Sequence, residues 1–575
     1  MKPKIRERIF WAILISIAHI LITKPAIDIG NLAIQIPMVR FFDGSASFGT
    51  DPIVHSFKHF ASYFYILLSY LHISDSALKI FFGVSYFVLD SIIFYLILSI
   101  WNLLNIEKNT AILSAVIIAG GYLPVLSSAN WSYVFSHQMI GIIFALLSIF
   151  YLLSGKNLLA FVFIGIGINF HAIFLAPVFV FALIYLISER KYSDSIFGSI
   201  ICFLLSLPIL FFIYKNNVII EDVRLWRQIA SVRSPEEVFP FRQFLSWIPI
   251  ISFSAIFAQS SMKRWNSIKS WARPLLITTI VFALLQLVFS EIWLIPNLAK
   301  IQFLRCSLYY VLLPLPIAIE YIIKIVKNKH SKIFFLMPIF GSQPPGLHIL
   351  LADFLFRKIP VWLEYILGIS IIALYFLIPF VSQNSTIWGN FSYFDIKLYL
   401  RNGFLMLFSL AILFFAVKTG KVQRLHRVLI IFVLIIGIVR SFIGGVFVTQ
   451  DKEWVDVQKW ARYNTDRDDI FLVPPNMGSF RVYSHRGIVF DWKGGTFALY
   501  FSWRYAKEWW KRLQDFHPTS YTPEALANAY RKMSKNDKLV LAKKYHSKYI
   551  VVSNPNDFKE EPVYSNTKWS IYKSR

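Results

Sequence analysis

Long apolar runs separated by short polar segments fill the chain from residue 8 to residue 447. A helix that rises 1.5 Å per residue needs about 20 apolar residues to cross roughly 30 Å of hydrocarbon. The pattern predicts about 13 membrane spans, at residues 8–23, 78–102, 109–127, 135–153, 158–172, 173–188, 194–214, 243–258, 272–293, 301–326, 361–381, 402–418 and 427–447. We therefore expect a mainly α-helical, polytopic transmembrane bundle over residues 1–447.

Two apolar stretches depart from a simple span. Residues 158–188 are too many for one ordinary span and contain Gly, Asn, His and Pro near the middle, so we expect two short spans that meet near His171. Prolines and polar residues argue against a straight span over residues 333–360. That segment is predicted to be a cytoplasmic or a re-entrant piece.

The pattern changes near residue 448, where charged and aromatic residues mix. "DKEWVDVQKWARYNTDRDD" and "FSWRYAKEWWKRLQDF" are typical of helices, and "IFLVPP", "KYIVVSN" and "KWSIYKS" of short strands. "FRVYSHRGIVFDWKGG" is predicted to form a strand pair with a glycine-containing turn. Residues 448–575 are thus expected to form a soluble α/β domain.

Composition and charge support a membrane protein. Hydrophobic residues make up 56% of the 575 positions, far more than one soluble core needs. The net charge of +26 comes largely from short basic loops, including "KPKIRER", "KIVKNKHSK" and "KTGKVQRLHR". By the positive-inside rule these loops are cytoplasmic, which places the loop 24–77 and the C-terminal domain outside. No basic stripe is interleaved with stacking aromatics in a soluble region, so nucleic acid is not an expected partner.

The first outer loop contains two acids of chemical interest. Asp28 follows the first span closely, at the expected height of a lipid-borne phosphate. A carboxylate there can act as a general base or bind a divalent cation such as Mg or Mn. The alternative is a solvated loop acid. Asp51, in "FGTDPIVHSF", is a second candidate with His55 nearby, whereas Asp43 is expected to cap a turn.

This layout resembles the GT-C membrane glycosyltransferases. One span, a long outer loop with an early acid, many further spans and an outer C-terminal α/β domain are shared with that group. The resemblance implies a sugar donor linked to a polyprenyl phosphate and a catalytic acid in the first outer loop. Asp28 matches the acid just after the first span, and Asp51 matches the second first-loop acid of several such enzymes.

The local motifs narrow the resemblance. The Asp-Glu pair of protein mannosyltransferases is absent because Ile29 follows Asp28, and the "WWD" signature of oligosaccharyltransferases is also absent. The chain looks most similar to uncharacterised bacterial members of the group. The resemblance implies inverting transfer to a glycan, lipid or protein acceptor on the outer side of a bacterial cytoplasmic membrane.

Arg305, in "IQFLRCSLYY", is predicted about one turn inside an apolar span. An arginine at that depth is costly and is expected to face a cavity or an anion. A polyprenyl phosphate suits its planar fork, while the alternative is an internal pair with Glu291 or Asp90. Lys300 is either a second phosphate contact or a snorkelling lysine.

Other candidate substrate-binding residues come from several segments. His137 and His171 are expected on the outer side, lining a cavity or lying at the interface as satisfied histidines. His55 is a further first-loop candidate. In the C-terminal domain, three cations in one stretch suit carbohydrate recognition or an ion-pair network with Asp491: Arg481, Arg486 and Lys493.

Two rival functions stay open. A transporter or flippase for a lipid-linked saccharide predicts inverted repeats and ionisable residues near the midplane. The sequence shows no convincing repeat. A non-catalytic scaffold with the same fold is the other alternative.

The topology can be tested with reporter fusions. A reporter placed after Arg575 should be extracytoplasmic, because the predicted number of spans is odd. One inserted into "KTGKVQRLHR" should be cytoplasmic, because that loop is strongly basic. Finding both reporters on the same side would contradict the predicted threading.

Overall fold

The computed structural model describes residues 5–120, 134–216, 218–242, 244–328 and 445–574, with a few single residues between 430 and 441. The predicted spans 361–381 and 402–418, the segment 333–360 and the loop 382–401 lie outside these residues, and span 427–447 lies mostly outside them. The described chain is mainly helical, with one small sheet near the C-terminus.

Helices occur at every span position predicted before residue 329. The α-helices of this region are Ile5–Thr23, Leu32–Phe42, Ile53–Phe57, Phe64–Ser69, Asp75–Leu103, Lys108–Ala119, His137–Leu153, Asn157–Ser188, Tyr192–Lys215, Val223–Arg233, Pro235–Val238, Phe244–Ser261, Trp265–Gln286, Pro296–Ala299, Ser307–Leu312 and Leu315–Asn328. Three 3₁₀ turns, Pro240–Arg242, Met262–Arg264 and Phe303–Cys306, and a π-helical turn, Leu287–Ile292, complete it.

The prediction of about 13 spans is not supported. Among the described residues, four helices are long and apolar enough to cross a membrane: Ala77–Leu103, Asn157–Ser188, Tyr192–Lys215 and Trp265–Ile292. A fifth is added if Pro296–Leu312 and Leu315–Tyr321, bent by 51°, count as one broken span. Other apolar runs form helices such as Lys108–Ala119, of 12 residues, which is short of the length that spanning needs.

The helical stretch Asn157–Ser188 reverses direction at His171. The backbone of His171 is not helical, with φ −157° and ψ 84°. Phe161 and Phe179 would lie about 27 Å apart along a straight helix, yet their ring centroids are 5.9 Å apart. This stretch, long enough to span by length alone, is therefore a hairpin of two short helices. The predicted break near His171 is confirmed.

Neighbouring helices of the bundle pack antiparallel. The bundle therefore has two ends, and different residues lie at each. Asp90 receives a hydrogen bond from Ser16 Oγ, at 2.8 Å, and contacts His19 Nδ1 at 3.0 Å, which joins the first and fifth helices. Beyond these contacts, Lys108 pairs with Glu7 at one end, which we call the Lys108 end. The opposite end contains the first loop and is called the Asp28 end.

The first loop folds as three short helices with irregular connections. The apolar stretch "FKHFASYFYILLSYLHI" does not form one continuous helix, because the chain breaks between the helices Ile53–Phe57 and Phe64–Ser69. Ser62 Oγ donates to the carbonyl oxygen of Phe170 at 2.8 Å, and the backbone N–H of Tyr63 donates to that of Asn169. These contacts with the His171 turn replace helical hydrogen bonds.

The turn role predicted for Asp43 is confirmed. Its Oδ1 accepts a hydrogen bond from the backbone N–H of Ser45 at 2.8 Å. This is the local side-chain contact that stabilises such turns.

The C-terminal domain surrounds a five-stranded mixed sheet in the order β2-β1-β3-β5-β4. β1 pairs in parallel with β2 and β3, and β5 pairs antiparallel with β3 and β4. The strands are β1 Ile470–Leu472, β2 Gly487–Ile488, β3 Tyr549–Ser553, β4 Tyr564–Ser565 and β5 Trp569–Lys573. The helices are Lys452–Asn464, Arg481–Ser484, Gly494–Phe501, Trp503–Asp515, Pro523–Lys532 and Lys535–Lys544, with the 3₁₀ turn Gly478–Phe480.

The two helices and the strands β1, β3 and β5 predicted for this domain are confirmed, but the strand pair over "FRVYSHRGIVFDWKGG" is wrong. Only Gly487–Ile488 is a strand there, and it pairs with β1 rather than with a hairpin neighbour. The flanking residues form the helices Arg481–Ser484 and Gly494–Phe501. Their side chains and backbone take part in the contacts with the first loop described next.

Candidate functional site

Asp51 joins the first loop to the C-terminal domain. Its carboxylate accepts hydrogen bonds from Arg481 Nε at 2.7 Å and Nη2 at 3.2 Å. The backbone N–H groups of Ile53, at 3.0 Å, and Ile488, at 2.9 Å, also donate to it. Both side chains of the ion pair are 1% exposed. Four donors thus occupy the two oxygens of Asp51.

Arg481 has a second carboxylate partner within its own domain. Its Nη1 donates to Asp491 Oδ1 at 2.9 Å, and the backbone N–H of Gly494 donates to Asp491 Oδ2 at 2.8 Å. Burial opposes the charge of Arg481, but the two carboxylates outweigh it and raise its pKa above the usual value. We call Asp51, Arg481 and Asp491 the buried ion triad.

Asp28 is buried rather than solvated, with no exposed surface. Its Oδ1 accepts from the backbone N–H of Gln450 at 2.9 Å, and its Oδ2 accepts from the Tyr483 hydroxyl at 2.8 Å. Lys79 Nζ lies 3.0 Å from Oδ2. Burial and the charge of Asp28 raise the pKa of Tyr483, so the phenol keeps the proton that it donates.

The surroundings of the two acids bear on their predicted catalytic role. A general base needs an oxygen within hydrogen-bond reach of the substrate proton. Asp28 pairs with Lys79, whose side chain is 38% exposed, whereas Asp51 belongs to the buried ion triad. The catalytic roles of Asp28 and Asp51 stay predictions.

Arg305 lies at the Asp28 end in the 3₁₀ turn Phe303–Cys306 and is 7% exposed. Its guanidinium carbon lies 5.6 Å from the ring centroid of Phe174. Its Nη2 is 3.7 Å from Glu237 Oε1, beyond hydrogen-bond distance. Its Nε has no hydrogen-bond partner among the described residues. Arg305 is thus a buried cation that is only loosely paired.

The internal partners considered for Arg305 from the sequence are wrong. Glu291 pairs with Arg242 at 2.8 Å, and Asp90 pairs with His19. The partner is Glu237, in the segment that follows the helix Tyr192–Lys215.

His137 and His171 lie together beside Arg305. Their rings stack with centroids 4.7 Å apart. The Tyr65 hydroxyl lies 2.9 Å from His137 Nδ1, while His171 Nδ1 has no hydrogen-bond partner in the described regions of the chain. Arg305 is close enough to act electrostatically on both imidazoles. The structure therefore brings together three residues that the sequence predicted separately.

Glu237 and Gln302 complete this cluster. Glu237 Oε2 accepts from the Tyr500 hydroxyl at 2.8 Å and from Gln302 Nε2 at 2.9 Å. Gln302 has a left-handed backbone, with φ 52° and ψ 54°, which is costly for a residue with a Cβ. The Arg305 pocket is defined here by Arg305, His137, His171, Gln302 and Glu237.

A narrow apolar crevice begins one residue after Arg305. It lies between the second arm of the His171 hairpin, the helix Trp265–Gln286 and the helix Ser307–Leu312. Its lining includes Val178, Phe181, Leu275, Cys306 and Tyr309. Arg305 is thus next in sequence to a residue that lines a small apolar crevice.

Two predicted residues make no described contact with the Arg305 pocket. Lys300 Nζ lies 3.4 Å from Asn297 Oδ1. His55 lies among cations, and burial together with Arg504 lowers its pKa.

Two further predicted residues lie in the C-terminal domain. The Nη2 of Arg486 donates to the backbone carbonyls of Arg462, at 2.6 Å, and Thr465, at 2.7 Å, which indicates a structural role. Burial and a neighbouring arginine lower the pKa of Lys493 to about 8. The negative charges of Glu237 and Asp491 oppose this lowering of the pKa.

Sequence reasoning missed Asp75, which contacts two arginines and a histidine. It lies 2.6 Å from Arg40 Nη2 and also contacts Arg462, and His485 Nε2 is 3.5 Å away. Burial would raise the pKa of Asp75, but His485 and the two arginines outweigh it and hold the pKa below the usual range. Asp75 is thus a further contact between the helical bundle and the C-terminal domain.

Glu237 and Gln302 were also missed. "SPEEV" is typical of a helix start, where acids are common for local reasons. One feature of the sequence could have identified Glu237: it is an acid in a predicted outer loop between two predicted membrane spans.

A metal-ligand cluster does not occur in the described residues: nowhere do three His, Cys, Asp or Glu side chains lie close enough to hold an ion. Asp28 and Asp51 share no hydrogen-bond or ion-pair partner among the contacts described above. The two acids therefore do not fit a shared divalent cation, and Mg or Mn binding stays a prediction.

Comparison with known proteins bears on one segment. Residues 452–516 match the family described as Domain of unknown function (DUF6798). No curated protein matches the chain significantly. The matched segment contains Arg481 and Asp491, so it includes the two members of the buried ion triad that belong to the C-terminal domain.

Removing Arg481 should weaken the attachment of the C-terminal domain. Arg481→Ala leaves two buried carboxylates unpaired, and breaking such a pair costs about 3–5 kcal/mol. We expect a lower thermal midpoint and faster proteolysis near residue 450. Lys568→Ala is the matched control, because its ion pair with Asp451 is exposed and should matter little. Equal thermal midpoints for both variants would contradict this role.

Proposed function

We propose that the protein is a GT-C-like membrane glycosyltransferase. It moves a sugar, with inversion, from a polyprenyl-phosphate-linked donor to a glycan, lipid or protein acceptor outside the bacterial cytoplasmic membrane. The observation that carries this proposal is the Arg305 pocket, where a buried guanidinium with an unpartnered Nε lies beside two stacked imidazoles.

The pocket favours a phosphate for electrostatic reasons. A buried charge needs a compensating partner, and Glu237 lies too far from Arg305 to form a hydrogen bond. The planar fork of arginine forms two parallel hydrogen bonds with a phosphate. The unpartnered His171 Nδ1 can supply a further donor when the tautomer places its proton there.

The apolar crevice supports a lipid-borne phosphate over a free one. Its lining starts at Cys306, next to Arg305 in the chain, and continues along the bundle to Leu313. A prenyl chain could extend there while its phosphate stays at the guanidinium. Side chains of the lining must move to admit the chain, because the crevice is narrow.

The distribution of basic residues supports the proposed orientation. Turns at the Lys108 end carry cations, and the hydrogen bond between Asn157 and Asp194 joins two of these turns. By the positive-inside rule this end lies in the cytoplasm. The Asp28 end, the Arg305 pocket and the C-terminal domain then lie outside. The basic residues concerned include Arg8, Lys108, Lys156, Lys191 and Arg264.

The reaction follows from this placement. An acceptor hydroxyl attacks the anomeric carbon, the bond from that carbon to the phosphate oxygen breaks, and the hydroxyl proton passes to a carboxylate. The polyprenyl phosphate leaves with its negative charge beside Arg305, where preorganised donors stabilise it. The sequence-based candidates for the carboxylate are Asp28 and Asp51.

A transporter of lipid-linked saccharides is the second candidate function. Asp90 and His19 form a fully buried ionisable pair between apolar helices, and such pairs often serve ion-coupled transport. Movement of a lipid-linked sugar across vesicles without its chemical conversion would favour this function. A non-catalytic scaffold would neither move nor convert it.

Replacing Arg305 should weaken donor binding. Arg305→Ala should lower the affinity for farnesyl phosphate by about 10-fold or more, since hydrogen bonds to charged groups contribute about 1.5–3 kcal/mol. Arg305→Lys should restore only some of the affinity because the fork is lost. Binding is measured with purified protein in lipid nanodiscs, and farnesol serves as the uncharged ligand.

Arg242→Ala is the matched control, because Arg242 lies at the same end and pairs with Glu291 outside the pocket. It should bind farnesyl phosphate like the wild type. If Arg305→Ala also binds like the wild type, Arg305 does not hold the phosphate.

A further inference from the structure

The Arg305 pocket contains its own carboxylate, and its two oxygens have different surroundings. Glu237 Oε2 accepts hydrogen bonds from Tyr500 and Gln302. Among the described residues, the one ion-pair contact of Oε1 is that with Arg305, at 3.7 Å. The side chain is 18% exposed. One oxygen is therefore fixed in position while the other remains able to accept a hydrogen bond.

The first-loop acids differ from Glu237 in this respect. Asp28 has no exposed surface, and both of its oxygens accept hydrogen bonds. Asp51 receives four hydrogen bonds in the buried ion triad. Of these three carboxylates, Glu237 is the one next to the cation that would hold the donor phosphate.

We infer that Glu237 accepts the proton of the acceptor hydroxyl in the proposed transfer. This inference rests on the proposed function. It assigns the role of general base to Glu237 instead of Asp28 or Asp51 and changes no other role of those two acids. The acceptor oxygen bonds to the anomeric carbon, the bond from that carbon to the phosphate oxygen breaks, and the proton moves to Glu237 Oε1. The polyprenyl phosphate leaves with its charge held by Arg305.

The contacts of Glu237 explain how its carboxylate would be made available. In the described part of the chain, Oε1 is the carboxylate oxygen that pairs with Arg305, at 3.7 Å. A phosphate that forms hydrogen bonds with the guanidinium compensates the same charge, so Oε1 is free to turn towards the acceptor. Tyr500 and Gln302 hold Oε2 during this step, which limits the movement to a rotation of the carboxylate.

The left-handed backbone at Gln302 is consistent with a functional constraint. Strained residues of this kind cluster at active sites, where the surrounding structure maintains them. Gln302 uses its side-chain amide to position Glu237, and its Oε1 has no partner among the described residues. Gln302 is a positioning residue, and Glu237 is the group that touches the reacting atoms.

Glu237→Gln separates binding from chemistry. The amide keeps the shape and the bond from Tyr500 but cannot take the proton, so release of polyprenyl phosphate from a panel of polyprenyl-phospho-sugars should fall about 10²-fold or more. Because the competing carboxylate next to Arg305 is lost, farnesyl phosphate should bind about five-fold tighter. Glu237→Asp should keep wild-type binding and regain some of the turnover.

Glu236→Gln is the control, because it removes the same charge from the exposed neighbouring residue and should change neither measurement. Full turnover in Glu237→Gln would overturn the inference. A Glu237→Gln variant that loses farnesyl phosphate binding and has a lower thermal midpoint would overturn it as well. If Asp28→Asn loses turnover while Glu237→Gln keeps normal turnover, the general base is Asp28 rather than Glu237. If wild-type protein binds farnesyl phosphate no better than farnesol and converts no donor, the proposed function itself fails.

Discussion

A single buried guanidinium, that of Arg481, determines how the helical bundle and the C-terminal domain fit together. Moving an ion out of water costs several kcal/mol, and only close partners offset that cost. Asp51 supplies one partner from the first loop, and Asp491 supplies the other from the C-terminal domain. Without the C-terminal domain Asp51 would lose its buried cation, and without the first loop Arg481 would keep Asp491 as its one partner in the triad.

The geometry around the buried ion triad is correspondingly tight. A Cβ at Gly487 would lie 2.3 Å from the carbonyl oxygen of Phe48, and a Cβ at Gly478 would lie 2.5 Å from Asp491 Oδ2. Glycine is therefore required at both positions for the backbone to come this close. Asp28 and Asp75 add further contacts between the same two regions.

Docking through Arg481 also shapes the Arg305 pocket. The helix Gly494–Phe501 begins at the residue whose N–H donates to Asp491, and its Tyr500 reaches Glu237. Phe60 of the first loop packs between His137 and Phe501. The pocket is thus built from the helical bundle, the first loop and the C-terminal domain together, and its chemistry depends on their docking.

Much of the helical bundle could be predicted from the sequence because long apolar runs have few alternatives. The break at His171 was predictable from the length and the polar residues of 158–188. The number of true spans was not, because an apolar run also forms short helices that are buried in protein. Helix Lys452–Asn464 and strands β1, β3 and β5 followed from local periodicity.

The candidate site was only partly predictable. Arg305 was found because a charge at membrane depth is costly, and His137 and His171 were found because they lie at the outer ends of predicted spans. The partners Arg481 for Asp51 and Glu237 for Arg305 lie far away in the sequence, and no local pattern encodes such contacts. The burial of Asp28 was not predictable either, because its partners Tyr483 and Gln450 come from distant positions near the C-terminus.

The most direct test of the account is a density map of the protein in lipid nanodiscs with a bound polyprenyl phosphate. The account predicts phosphate density within hydrogen-bond distance of Arg305, with Glu237 turned away from the guanidinium. It also predicts an elongated tail along the crevice past Cys306 and Tyr309. Phosphate density elsewhere, with the contact between Arg305 and Glu237 unchanged, would contradict it.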